Sequence, residues 1–99
     1  MDAQLLLHER IIQPDGSLIE MKIWQVRKSS YYPLGVRYSL YLVKEGRVLV
    51  GYDNHFPKGP HRHYGENEEE YEWVNIEKLI DDFKQDLKRD KHESKNNSN

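Results

Sequence analysis

The chain has 99 residues, 36% of them apolar and 32% charged, with a formal net charge of −2. That allows one domain with a thin core, a single sheet covered by one or two helices. The absence of cysteine excludes disulfides, thiolate metal sites and thiol nucleophiles. The balance of charge is not basic enough to mark a nucleic-acid binder by itself.

The first ten residues, Met1 to Arg10, lack the basic and apolar regions of a signal peptide. No segment approaches the length of a bilayer span, so a cytoplasmic protein without membrane association is expected. Leu5 to Ile12 is rich in Leu and Ile and stops at Pro14-Asp15-Gly16, residue types that preset or tolerate the dihedrals of a tight turn. Leu18 to Val26 then alternates, with Ile19, Met21 and Ile23 on one face and Glu20, Lys22 and Trp24 on the other. The two runs predict a hairpin.

A longer loop, Arg27 to Gly35, leads to a third strand. Here Val36, Tyr38, Leu40 and Leu42 oppose Arg37, Ser39, Tyr41 and Val43. Lys44-Glu45-Gly46-Arg47 is a short hairpin turn. The alternation of Val48 to Asp53 predicts a fourth strand, with Val48, Val50 and Tyr52 on the face opposite Leu49, Gly51 and Asp53. Tyr71 to Val74, aromatic and charged in turn, is a candidate fifth. Asn75 is a candidate N-cap, and Ile76, Leu79, Ile80, Phe83 and Leu87 form one apolar stripe of a helix.

Residues 1–88 are therefore expected to form a single α+β domain, a four- to five-stranded antiparallel β-meander with one C-terminal helix packed on one face. Residues 89–99 contain no apolar side chain and predict a disordered polar tail. The first strand, at the sheet edge, is a candidate surface for pairing with a second copy.

Gly51 to Trp73 follows neither period. It holds three of the five histidines, two of the four prolines and three of the six glycines, together with Asp53, Lys58 and Arg62. Such a density of titratable groups on a plain scaffold marks the candidate site. A helix on the Val50/Tyr52 face leaves Asp53 on the other. The loop then brings His55, Lys58, His61, Arg62 and His63 over an open face that also carries Lys22, Trp24, Arg37 and Tyr41. Bases stack on aromatics while Lys and Arg meet phosphates, so RNA is the expected ligand of that face.

Three readings of the loop compete. A metal held by His55, His61, His63 and Asp53 is disfavoured by the neighbouring Lys58 and Arg62, and by reading an extended His61-Arg62-His63 as pointing its two rings to opposite faces. No metal and no cofactor are therefore expected. In metal-independent RNA cleavage, the substrate supplies its own 2′-hydroxyl nucleophile. The protein then needs only a base and an acid, His61 and His63, with Arg62 and Lys58 on the phosphate and Asp53 orienting a histidine. Asn54, His55, Tyr64, Tyr71, Tyr41 and Arg37 are the candidate binding residues. In the structural reading, the same side chains merely order the loop, and Glu66 to Glu72 solvate a ridge.

Pro-Asp-Gly in a hairpin, Met21-Lys-Ile-Trp24, Arg37-Tyr-Ser-Leu-Tyr-Leu-Val43, Tyr52-Asp53-Asn54, His61-Arg62-His63, Glu-x-Tyr and a Leu-Ile-Asp-Asp-Phe helix together resemble the TumE toxins of bacterial and archaeal type II toxin–antitoxin modules. The likeness covers roughly residues 4–87. The family motif often carries an acidic residue before His-Arg-His, where this chain has Pro60. The resemblance implies a toxin silenced by an antitoxin with a winged-helix DNA-binding domain. The rival class is a non-enzymatic nucleic-acid- or protein-binding module acting through the same open face. A third is an adaptor that meets a basic partner through Glu66–Glu72.

Overall fold

The computed structural model describes residues 3–97. Its strands are β1 (Gln4–Ile12), β2 (Leu18–Gln25), β3 (Val36–Lys44), β4 (Arg47–Asp53), β5 (His61–Tyr64) and β6 (Asn67–Glu70), followed by helix α1 (Ile76–Asn97). The strands lie side by side in chain order, each antiparallel to its neighbours. The α+β class and the single C-terminal helix are as predicted. The strand count is six, above the expected four to five.

Both predicted turns form for the reasons their residues give. Asp15 Oδ1 accepts from the Ser17 amide at 2.9 Å, and Gly16 takes a φ of 87°. Glu45 and Gly46 have φ of 52° and 75°, the double positive φ of the two-residue turn that matches strand twist.

The core joins Met21, Ile23, Val36, Tyr38, Leu40, Leu42, Val50 and Tyr52 of the sheet to Leu79 and Phe83 of α1. The Asn75 side chain caps the helix, accepting from the Lys78 amide at 2.8 Å.

Four expectations are corrected. Val48 does not share the face of Val50: Val43 pairs with Val48 and Leu42 with Val50, leaving Leu49 as a bulge. Leu49 turns to the core and Val48 to the open face, because the extra residue inverts the alternation. Tyr71–Val74 is not a strand. It crosses the helix side, where Trp73 stacks on Tyr38 with centroids 5.4 Å apart and Tyr71 donates to Asp82 Oδ2 at 2.6 Å.

The fifth and sixth strands instead come from inside the predicted loop, turning at Gly65, whose φ is 61°. Finally, α1 runs on across residues 89–97, where a disordered tail was expected. Arg89 lies 4.0 Å over the Tyr64 ring, and Glu93 accepts from the Tyr64 hydroxyl at 3.0 Å, so polar contacts to β5 replace the missing apolar ones. Residues 98 and 99 lie outside the described residues.

Candidate functional site

Strand register builds the site. On the open face one row of opposed residues runs Lys22, Ser39, Asp53, His61 and Glu70, and the next runs Glu20, Tyr41, Gly51, His63 and Glu68. His61 and His63 therefore share a face, since residues two apart on a strand point the same way. Their rings sit edge to face with centroids 5.3 Å apart. The expectation that they diverge is wrong, and Arg62 between them is the one that points away.

His61 is held at both ring nitrogens. Nδ1 lies 2.9 Å from the Gly59 carbonyl oxygen, which can only accept, so Nδ1 is the donor there. Nε2 lies 3.3 Å from Asp53 Oδ1, and both side chains are nearly buried. The other Asp53 oxygen accepts from the Tyr41 hydroxyl at 2.5 Å. Burial raises the Tyr41 pKa above the usual phenol value, and the hydrogen bond to Asp53 adds to the shift.

His63 is more open, its side chain 30% exposed, with Nδ1 3.6 Å from Glu68 Oε2. Lys58 donates to the other Glu68 oxygen at 2.8 Å. That bond pulls the Glu68 pKa below the usual carboxylate value, with the histidines adding to the effect, and raises that of Lys58.

Gly51 makes the geometry feasible. A Cβ at that position would lie 2.9 Å from the Tyr41 ring, so only a bare backbone lets Tyr41 lie across β4 and reach Asp53.

Beside this cluster lies a depression of about 450 Å³ lined by Lys22, Trp24, Arg37, Tyr38, Ser39, Tyr41, Asp53 and His55. A larger concavity of about 580 Å³ sits on the helix side, between Ile19, Leu42, Leu49 and Leu87. It contains no histidine, whereas the smaller one is lined by His55 and by Asp53 of the cluster.

The predicted site residues divide accordingly. Asp53, His61, His63 and Tyr41 come together, Arg37 and His55 line the adjoining depression, and Lys58 reaches the cluster through Glu68. Asn54 is buried and structural, accepting from the Tyr38 amide and donating to the Val36 carbonyl. Three residues fall on the other face. Arg62 bonds Glu69 at 2.6 Å and the Tyr52 hydroxyl at 3.2 Å, Tyr64 packs against the end of α1, and Tyr71 faces Tyr52 and Asp82. Alternation explains this, because Arg62 and Tyr64 have the opposite parity to the histidines. Glu68 escaped notice because its role appears only once β6 pairs it with His63.

A family model described as Toxin TumE matches residues 2–91. The chain belongs to the TumE toxin family. Membership makes this chain a toxin and implies an antitoxin partner. No curated relative and no solved structure matches it. Among the described residues of this TumE toxin, no helix is long and apolar enough to cross a membrane.

Proposed function

We propose that this toxin cleaves RNA on its open sheet face by metal-independent acid–base chemistry, acting in the cytoplasm under the control of a winged-helix DNA-binding antitoxin. One observation carries the reading: a depression lined by Trp24, Tyr41, Lys22 and Arg37 has in its wall Asp53, the residue it shares with the Asp53–His61–His63 cluster. Indole and phenol rings stack bases, and the cations beside them meet phosphates. A strand laid there presents a phosphodiester to the two imidazoles.

His63, the more open ring, takes the 2′-hydroxyl proton, and the 2′-oxygen attacks phosphorus. His61 returns a proton from Nε2 to the departing 5′-oxygen, leaving a 2′,3′-cyclic phosphate and a new 5′-hydroxyl end. Asp53 orients the His61 ring, and Lys22, Arg37 and Lys58 offset charge on the phosphorane. Arg62 takes no part.

The test is cleavage of end-labelled RNA in excess chelator by catalytic amounts of protein, comparing the parent chain with His63→Ala. Multiple turnover by the parent and none by the variant is the expected result.

A second reading is favoured by the bonding of His61, whose two ring nitrogens both face acceptors. In that case the face binds RNA or protein without cutting it, and inhibition rises one for one with toxin added. The free outer edge of β1 supports pairing with a second copy, which sedimentation across a concentration series tests.

A further inference from the structure

We infer that Asp53, His61 and His63 form a binding site for a zinc-class divalent cation, with Glu68 as the fourth donor. The site does not rest on RNA cleavage. The ligand atoms of the first three residues all lie within 4.8 Å of one another. Bonds of about 2.0 Å in a tetrahedron place neighbouring donors about 3.3 Å apart. His61 Nε2 and Asp53 Oδ1 already stand at 3.3 Å. His61 Nε2 is 3.8 Å and His63 Nδ1 3.6 Å from the Glu68 oxygens, so closure requires the two more exposed side chains, His63 and Glu68, to move inward.

The surroundings have the form that a metal site requires. A ligating histidine donates its second ring nitrogen to a carbonyl or carboxylate, which fixes the tautomer and aims the lone pair; His61 does this to the Gly59 carbonyl at 2.9 Å. A ligating carboxylate has its other oxygen occupied; that of Asp53 accepts from Tyr41 at 2.5 Å. Two imidazoles with carboxylates suit zinc and disfavour magnesium and calcium, which prefer all-oxygen sets. Lys58 is bonded to the cluster through Glu68. It is exposed, and its ammonium sits on a Glu68 oxygen, from which it can swing into solvent.

A cation here and proton transfer by His63 are exclusive uses of one ring. Coordination through one imidazole nitrogen leaves the other protonated, so zinc loading silences cleavage.

The experiment is competition for Zn²⁺ against a fluorescent chelator, with tag-free chain first stripped by EDTA. One equivalent is expected to bind, with affinity at least about 100-fold lower in Asp53→Asn and His63→Gln, and lower by about tenfold in Tyr41→Phe, which removes only the outer contact. Mg²⁺ should not compete. His63→Gln is a half-exposed change that keeps the test valid if Asp53→Asn does not fold. Absence of binding, or binding that survives both substitutions, overturns the site. Stripped protein that still cuts RNA but takes up no zinc sinks this inference alone. Zinc uptake by a chain that never cuts RNA sinks only the nuclease reading.

Discussion

Gly51 and Tyr41 stand opposite each other across the β3–β4 ladder with no room for a side chain between them: a Cβ on Gly51 would come 2.9 Å from two carbons of the Tyr41 ring. The toxin's cluster depends on that closeness, because Tyr41 crosses the empty position to hold Asp53. Gly51→Ala is expected to cost about 1–3 kcal/mol of stability through overpacking and to lower growth inhibition beyond what the stability loss explains. Urea denaturation alongside a plating assay measures both. Full toxicity in a stably folded Gly51→Ala chain would show that the Tyr41–Asp53 contact has no functional weight.

Asn54 replaces two missing ladder bonds at the start of β3, accepting from the Tyr38 amide at 2.9 Å and donating to the Val36 carbonyl at 2.8 Å. Asn54→Ala leaves two main-chain groups without partners in a buried setting and is expected to destabilise by roughly 2–4 kcal/mol. Asn54→Asp should fare no better near neutral pH, because its second oxygen would face the Val36 carbonyl. Chemical denaturation midpoints decide the matter.

Arg62 lies between the two histidines in sequence but on the helix side in space, bonded to Glu69 and the Tyr52 hydroxyl, with Asp86 3.9 Å away. Arg62→Gln is therefore expected to lower the melting temperature while leaving the specific rate of RNA cleavage within about twofold of the parent, the change in rate being that of a distant site. A hundredfold fall in rate with an unchanged melting curve would return Arg62 to the catalytic group.

Five of the seven tyrosines, Tyr38, Tyr41, Tyr52, Tyr64 and Tyr71, have pKa values raised mainly by burial, with neighbouring carboxylates adding to the shift; Tyr64 is pushed up to about 12. A folded pKa above the unfolded value of about 10 contributes stability that is whole below pH 10. That contribution drains away as pH rises through the folded values. The folded chain should then show fewer than seven tyrosinates by ultraviolet absorbance at pH 11, and its stability should fall steeply above pH 10. Simultaneous ionisation of all seven near pH 10 in folded protein would contradict the buried placement.

The acid limb has the opposite sign. For Asp82, burial alone would raise the pKa, but hydrogen bonds from Tyr71 and Lys78 outweigh it and the net shift is downward. Its contribution is present above the unfolded value of about 3.9 and is lost as pH falls through the lower folded one. Asp82→Asn should flatten the loss of stability below pH 4, as read by melting temperature against pH.

The first four strands and the helix stripe were legible because their periods are clean and their turns carry Pro-Asp-Gly and Glu-Gly. The bulge at Leu49 was not, since apolar residues on both sides of it fit either parity. Strands β5 and β6 were hidden for a different reason. His-Arg-His-Tyr and Asn-Glu-Glu-Glu have little intrinsic strand preference, and they are held by pairing to β4 and to each other. What the sequence concealed, then, was the ladder that sorts the histidines from Arg62.

Every strand lies beside the one made just before it. Ribosomal synthesis therefore lays the sheet down from one flank to the other, and hairpins can close while the rest is still being translated. The ribbon bearing the two imidazoles is added fifth, and the helix that seals the apolar side follows the sheet. A polypeptide that stops before residue 61 thus carries the first four strands without the histidine pair or the helix that covers the apolar side.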